Sequence, residues 1–450
     1  MDRSEVDMGK KWIDLSAEEK RDERFKRWLS PPDVKFAGPE YESAYKARVT
    51  RIIKAIKLEK PDRVPVHLPA SLFPAYYAGE TLGKVMYDYE ELRRAWKKYL
   101  HEFDMDMYIG PSLVFPGRVF ETLDYKLYKW PGHGLPSDAP IYQYVEGEYM
   151  KADEYDAFIR DPSDFLMRTY LPRIVGAFEP FQKLFHLTPM VGIPLGFIMP
   201  FSMPDVQTAY KTLMDVSQEM AKWQAVVADV DSEALSLGFP SLFGGGASAP
   251  FDAIGDMLRG TQGIFIDMYR QPEKLMEAME KLIPLTIDGA VAAANASGVP
   301  IAGMALHKGT GGFMSNEQYE TFYWGPMKKV MMGMINEGIV PMPFAEGNYE
   351  PRLEFISQLP KGSSVWWFEQ MDMARAKEVL GNTACIAGNV PASVLLTGTT
   401  QEVKEYCRKL IEVAGKGGGF ILTGGSDINK GNPENLWAMM EAAKEYGVYK

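Results

Sequence analysis

The chain has 450 residues, 46% hydrophobic and 24% charged, which allows a large core and excludes a disordered chain. Its formal net charge of −11 offers no basic field to phosphates, so neither nucleic acid nor an anionic membrane is an expected partner. Two cysteines, Cys385 and Cys407, exclude a disulfide framework, and the charged N-terminus has no apolar signal segment; a cytoplasmic protein is expected.

Residues 1–42 read as a polar, helical extension punctuated by "SPPD" and "AGPE". Ser43–Lys57 reads as a helix, "PDRVPVHL" as a short strand, Tyr89–Phe103 as an amphipathic helix and "DMDMYIG" as another strand. Residues 111–165, rich in Pro, Gly and Tyr, read as an excursion from the main body. Leu184–Pro204 carries no formal charge and holds Pro189, Pro194, Pro200 and Pro204, which suits buried strand and loop better than a spanning helix. A helix is expected over 205–238.

Beyond residue 298 the rhythm is regular. Apolar runs at 299–306, 338–344, 363–368, 384–389 and 418–423 read as strands, with helical patterns between them. Ser315-x-x-Gln318 and Thr399-x-x-Glu402 are capping boxes, and Asn432-Pro433 opens a last helix. Uniformly apolar strands alternating with helices predict an α/β fold with a parallel sheet, and a (β/α)8 TIM barrel over 43–450 fits best.

In such a barrel the chemistry gathers at the carboxyl ends of the strands. His307 follows the first of these runs, Glu346 the second and Glu369 the third; Cys385 lies within the fourth, and Asp427 follows the fifth. Imidazole, carboxylate and thiolate can together hold zinc with one position open, so His307, Glu346 and Cys385 are the expected metal ligands. Glu369 and Asp427 are further candidate catalytic residues at the same rim, either of which could serve as an acid. Each residue also has an ordinary reading: a hydrogen-bonded loop histidine, a core thiol, a helix-capping carboxylate, or a Glu346 paired with Lys308 or Arg352. The 27 Met, 23 Tyr, 23 Phe and 9 Trp suggest an adaptable core first and a pocket for a flat apolar ligand second.

"KPDRVPV" (60–66), "GGGASAPFDAIGDMLRGTQGIFIDMYRQPEKL" (244–275), "GNVPASVLLTGTTQEVKEYCRKLI" (388–411) and "GKGGGFILTGGSDINKGNPENLWAMMEAAKEYG" (415–447) resemble the uroporphyrinogen decarboxylase superfamily. The resemblance implies a (β/α)8 barrel. True decarboxylases of that family carry an Arg-rich segment after the first strand; here "VHLPASLFPAYYAGETLG" contains none. The other branch contains corrinoid-dependent methyltransferases, in which a His-x-Cys-Gly motif helps to bind zinc; the matching stretch here is Phe344-Ala345-Glu346-Gly347. Oxygen in place of sulfur makes a harder Lewis acid, suited to an ether oxygen. With the Tyr/Pro-rich excursion, the chain looks like the anaerobic O-demethylase methyltransferases. The implied reaction moves a methyl group from a methoxylated aromatic to cobalamin on a separate corrinoid protein, since no Asp-x-His-x-x-Gly motif occurs here. A homodimer is compatible. The competing readings are a decarboxylase of a smaller acid, using Lys308 and Arg259, and a barrel that only docks a corrinoid protein.

Overall fold

Short β-branched and aromatic runs bounded by glycine and proline have little choice but to pair, and here they pair in parallel. The structure is a computed structural model and describes residues 10–32, 34–193 and 195–450. Its main sheet has six parallel strands in sequential order: β1 (Gly245–Gly246), β2 (Ile301–Leu306), β3 (Val340–Asn348), β4 (Val365–Gln370), β5 (Cys385–Val390) and β6 (Phe420–Gly424). Single parallel bridges extend the pairing beyond both edges, joining Leu422 to Val66, His67 to Met107, and Tyr108 to Ser241.

Register follows the alternation of side chains. Phe344 lies opposite Trp367, Trp367 opposite Ala387, and Ala387 opposite Ile421, so one face of successive strands points into a common apolar interior. The other face packs on helices. Helices α1 (Ala17–Leu29) and α2 (Pro39–Ile56) send Phe25, Trp28, Val49 and Ile52 against Val340, Val365 and Cys385, closing the amino-terminal ends of the strands. Helix α3 (Tyr89–Glu102) packs on α4 (Pro204–Ser236), close to where each was expected. Both predicted capping boxes form, with Ser315 and Thr399 accepting from the backbone of Gln318 and Glu402 at 3.1 and 3.2 Å.

Two expectations are corrected. The strands at 338–344 and 363–368 run further, to Asn348 and Gln370, so Glu346 and Glu369 lie inside strands rather than after them. The described part of Leu184–Pro204 forms no strand and is largely exposed, with Leu184, Gly196 and Pro200 buried. It forms 3-10 turns at Thr188–Gly192 and Gly196–Ser202, with Leu187, Leu195 and Met199 exposed. Four prolines withhold amide protons at intervals, so no ladder or long helix can form there. Among the described residues, no helix is long and apolar enough to cross a membrane.

Candidate functional site

The carboxyl ends of β2, β3 and β4 bring polar side chains together for local reasons. The β3–β4 pairing shifts register between Ala345 and Asn348. A bulge of this kind bends the strand and re-aims a side chain. It turns on Gly347, whose φ of +78° favours glycine. The Gly347 amide donates to Glu369 Oε2 at 2.7 Å, which anchors the next strand's carboxylate beside the bulge.

His307 follows β2. Its backbone amide and that of Lys308 donate to the two oxygens of Asp252, each at 3.0 Å, and Tyr323 donates its hydroxyl to Asp252 Oδ2 at 2.5 Å. Asp252 is 2% exposed, and burial raises its carboxyl above the usual range, helped by the nearby charge of Asp256. One turn further along the same chain segment, Asp256 accepts from His307 Nδ1 at 2.6 Å and also takes the Lys308 ammonium. Burial pushes the Asp256 carboxyl up, but the hydrogen bonds from His307 and Lys308 more than reverse this and leave it low.

The consequence is a charged imidazole. The Asp256 hydrogen bond, reinforced by the charges of Asp256, Asp252 and Glu346 and opposed by desolvation, lifts His307 from 6.5 to about 9. Its other nitrogen, Nε2, lies 3.7 Å from Glu346 Oε1. That spacing is too long for a hydrogen bond, so the Nε2 proton is available to a third group. Glu346 is itself raised, first by burial and then by Glu369, Asp252 and Asp256, with His307 pulling the other way.

The predicted residues therefore separate. His307, Glu346 and Glu369 come together. Asp427 stands beyond β6 within reach of the Ser71 hydroxyl, its carboxyl raised by the surrounding protein. Cys385 does not join them. It is the first residue of β5 and pairs with Val365, the first of β4, so it lies at the opposite end of the sheet from His307 and Glu346. Its thiol is fully buried, pushed up to about 12 by desolvation. A neutral thiol among α1 and α2 side chains is no thiolate ligand. The expected set of three thus does not fit one zinc ion. Among the described residues, no three His, Cys, Asp or Glu side chains are arranged to hold a metal. Arg259 is also unavailable at the mouth, locked to Asp267 at 2.6 Å and Glu148 at 2.5 Å.

Asp252 and Asp256 were missed by the sequence reading. Their i, i+4 spacing puts both on one helical face, the signal that could have revealed them.

The URO-D (uroporphyrinogen decarboxylase) family model matches residues 208–446, more than half of the chain. The chain belongs to the uroporphyrinogen decarboxylase family. A uroporphyrinogen decarboxylase from Saccharophagus degradans is 25% identical over 195 residues, 40% of this chain and 50% of that protein. The chain thus spans about half the length of the curated relative it matches. A methyltransferase from Methanosarcina mazei shares the fold of this URO-D family chain with a TM-score of 0.53 at 16% identity, over 88% of this chain and 98% of that one. At that identity the likeness speaks to fold alone.

Proposed function

We propose that this chain removes a methyl group from the oxygen of a methoxylated aromatic and passes it to cob(I)alamin carried by a separate corrinoid protein. In this reading the bridged segments near Val66, Met107 and Ser241 join the six strands in a (β/α)8 barrel, and the donor sits at its carboxyl mouth. The observation that carries the proposal is the unspent Nε2 proton of His307, held at the strand ends by Asp256 and Asp252.

Breaking an aryl methyl ether sends the C–O electron pair onto oxygen, and a phenolate is a poor leaving group unless it is protonated. His307 Nε2 delivers that proton and the product is a neutral phenol. Asp256 then holds the neutral imidazole by Nδ1 until the proton is replaced, while Asp252 keeps the 307–308 turn in place. Phe344 and Trp367, 4.6 Å apart by ring centroids and one inward position below Glu346 and Glu369, offer the ring an aromatic floor. The corrinoid supplies the reduced cobalt nucleophile that accepts the methyl group.

The competing decarboxylase reading needs free cations to hold carboxylates. Here Lys308 is taken by Asp256 and Arg259 by Asp267, which leaves the His307 imidazolium, itself bonded to Asp256 through Nδ1, as the cation beside Glu346 and Glu369.

The test is anaerobic incubation of the chain with cob(I)alamin and a panel of methoxyarenes, with the phenol and alkylated corrinoid quantified. Equal amounts of the two are expected. His307→Gln should lower kcat by about 10²-fold or more, the scale of a lost general acid, with KM little changed. If no methoxyarene yields phenol while an aromatic acid loses carbon dioxide, the proposal is wrong.

A further inference from the structure

We infer that Asp427 and Ser71 form a second pole of the mouth, which selects an aromatic carrying a hydroxyl group on the side of the ring opposite its methoxy group. The inference deepens the methyl-transfer reading and rests on it for the placement of the methoxy oxygen at His307.

Topology sets the two poles apart. Parallel bridges from Leu422 to Val66, His67 to Met107 and Tyr108 to Ser241 continue the pairing beyond β6, and Ser241 leads into β1. From β6 to β2 the path crosses β5, β4 and β3 in one direction, and Val66–His67, Met107–Tyr108 and β1 in the other. Val66–His67 and β3 are separated in the same way. Asp427 follows β6 and Ser71 follows Val66–His67, so in the closed barrel of that reading this pair faces His307 and Glu346 across the mouth.

An aromatic floor joins the poles. Phe344, one inward position below Glu346, lies 4.6 Å from Trp367 by ring centroids. The Trp367 indole Nε1 donates to the carbonyl of Gly424, the last residue of β6, at 2.7 Å. The floor therefore runs from the strand that carries Glu346 to the strand that leads to Asp427. The space above it is open: Ala305, opposite Phe344 in register and two residues before His307, is exposed although it lies within the sheet. A ring laid on these aromatic faces turns one edge toward each pole.

The chemistry of the far pole suits a hydrogen-bond donor. Asp427 keeps contact with solvent, yet the protein crowds it enough to raise its carboxyl. The Ser71 hydroxyl opposes that rise, and among the described residues no cation does. Four residues before Ser71, His67 is held neutral, lowered to about 4 by burial. A carboxyl with no cation beside it accepts a hydrogen bond from a hydroxyl and repels a second carboxylate. A ring that offers this pole no donor would cover Asp427 without replacing the water it loses, at a cost in affinity.

Calorimetric titration of the full chain, without any corrinoid, tests the inference with 4-methoxyphenol, methoxybenzene and 4-methoxybenzoate. The phenol should bind about tenfold more tightly than the other two. Asp427→Ala should abolish its advantage over methoxybenzene. Asp427→Asn keeps an acceptor and loses the charge, so it should retain that advantage while binding 4-methoxybenzoate about tenfold better than wild type does. Asp427 is exposed, so both variants should fold as wild type does, which circular dichroism checks. A wild type that binds the three compounds alike, or binds none, would overturn the inference. So would an Asp427→Ala variant with the wild-type preference. Turnover is read separately: the preference without methyl transfer keeps the hydroxyl-selecting pole and removes the reaction, whereas methyl transfer without the preference keeps the reaction and removes the pole.

Discussion

Replacing Asp256 by Asn removes the charge that holds His307 protonated while keeping one oxygen for Nδ1; the second carboxylate oxygen, which takes Lys308, is lost. The rise of His307 from 6.5 to about 9 is large. At about 1.4 kcal/mol per tenfold change in proton affinity, it would correspond to roughly 3 kcal/mol in an enclosed site. The imidazole is 42% exposed, however, and solvent screening brings the usable figure down to about 1 kcal/mol. The sign follows from linkage: a base with a raised folded-state pKa is fully stabilising below its unfolded value of 6.5 and loses that stability as pH rises through about 9. Wild-type protein should therefore lose about 1 kcal/mol of unfolding free energy between pH 6.5 and pH 9.5 that the Asn variant does not lose. The difference in slope between the two proteins reports the imidazole. Urea unfolding at several pH values measures it, and NMR titration of the five histidines gives the His307 pKa directly. Parallel pH slopes in the two proteins, or a wild-type His307 titrating near 6.5, would refute the reasoning.

Cys385→Ala should leave methyl transfer within twofold and lower stability by about 1 kcal/mol, as for a small loss of core volume; loss of turnover in a folded variant would return the thiol to the site. Gly347→Ala would put a Cβ 2.6 Å from Thr310 Oγ1 on a left-handed backbone. It should cost about 1–3 kcal/mol in denaturant unfolding and weaken activity by moving the amide that Glu369 holds. An unchanged midpoint would show that the bulge is not under this constraint.

Much of the second half was legible because its strands are short apolar runs with clear glycine and proline limits. The approximate positions of β2 to β6 followed from that pattern. The same pattern placed His307 and Glu346 on one side of the sheet. Cys385 went astray because a residue that begins a strand points to the end opposite one that finishes it, and the expectation treated the whole run as one place. The carboxylates behind His307 were invisible for a different reason. Asp252 and Asp256 lie about 50 residues upstream, and only the fold brings them under the 307–308 turn. Segment 184–204 shows the limit of hydropathy, since an uncharged, proline-broken run can line a surface as readily as a core.

Because α1 and α2 seal the amino-terminal ends of the strands, the proposed donor and acceptor would share a single doorway. Under the proposed reaction the aromatic must enter before the corrinoid protein seats itself, and the phenol can depart only after that protein lifts away. Steady-state kinetics would then be ordered, with the small molecule first in and last out. A tightly held acceptor would slow turnover by trapping the product beneath it.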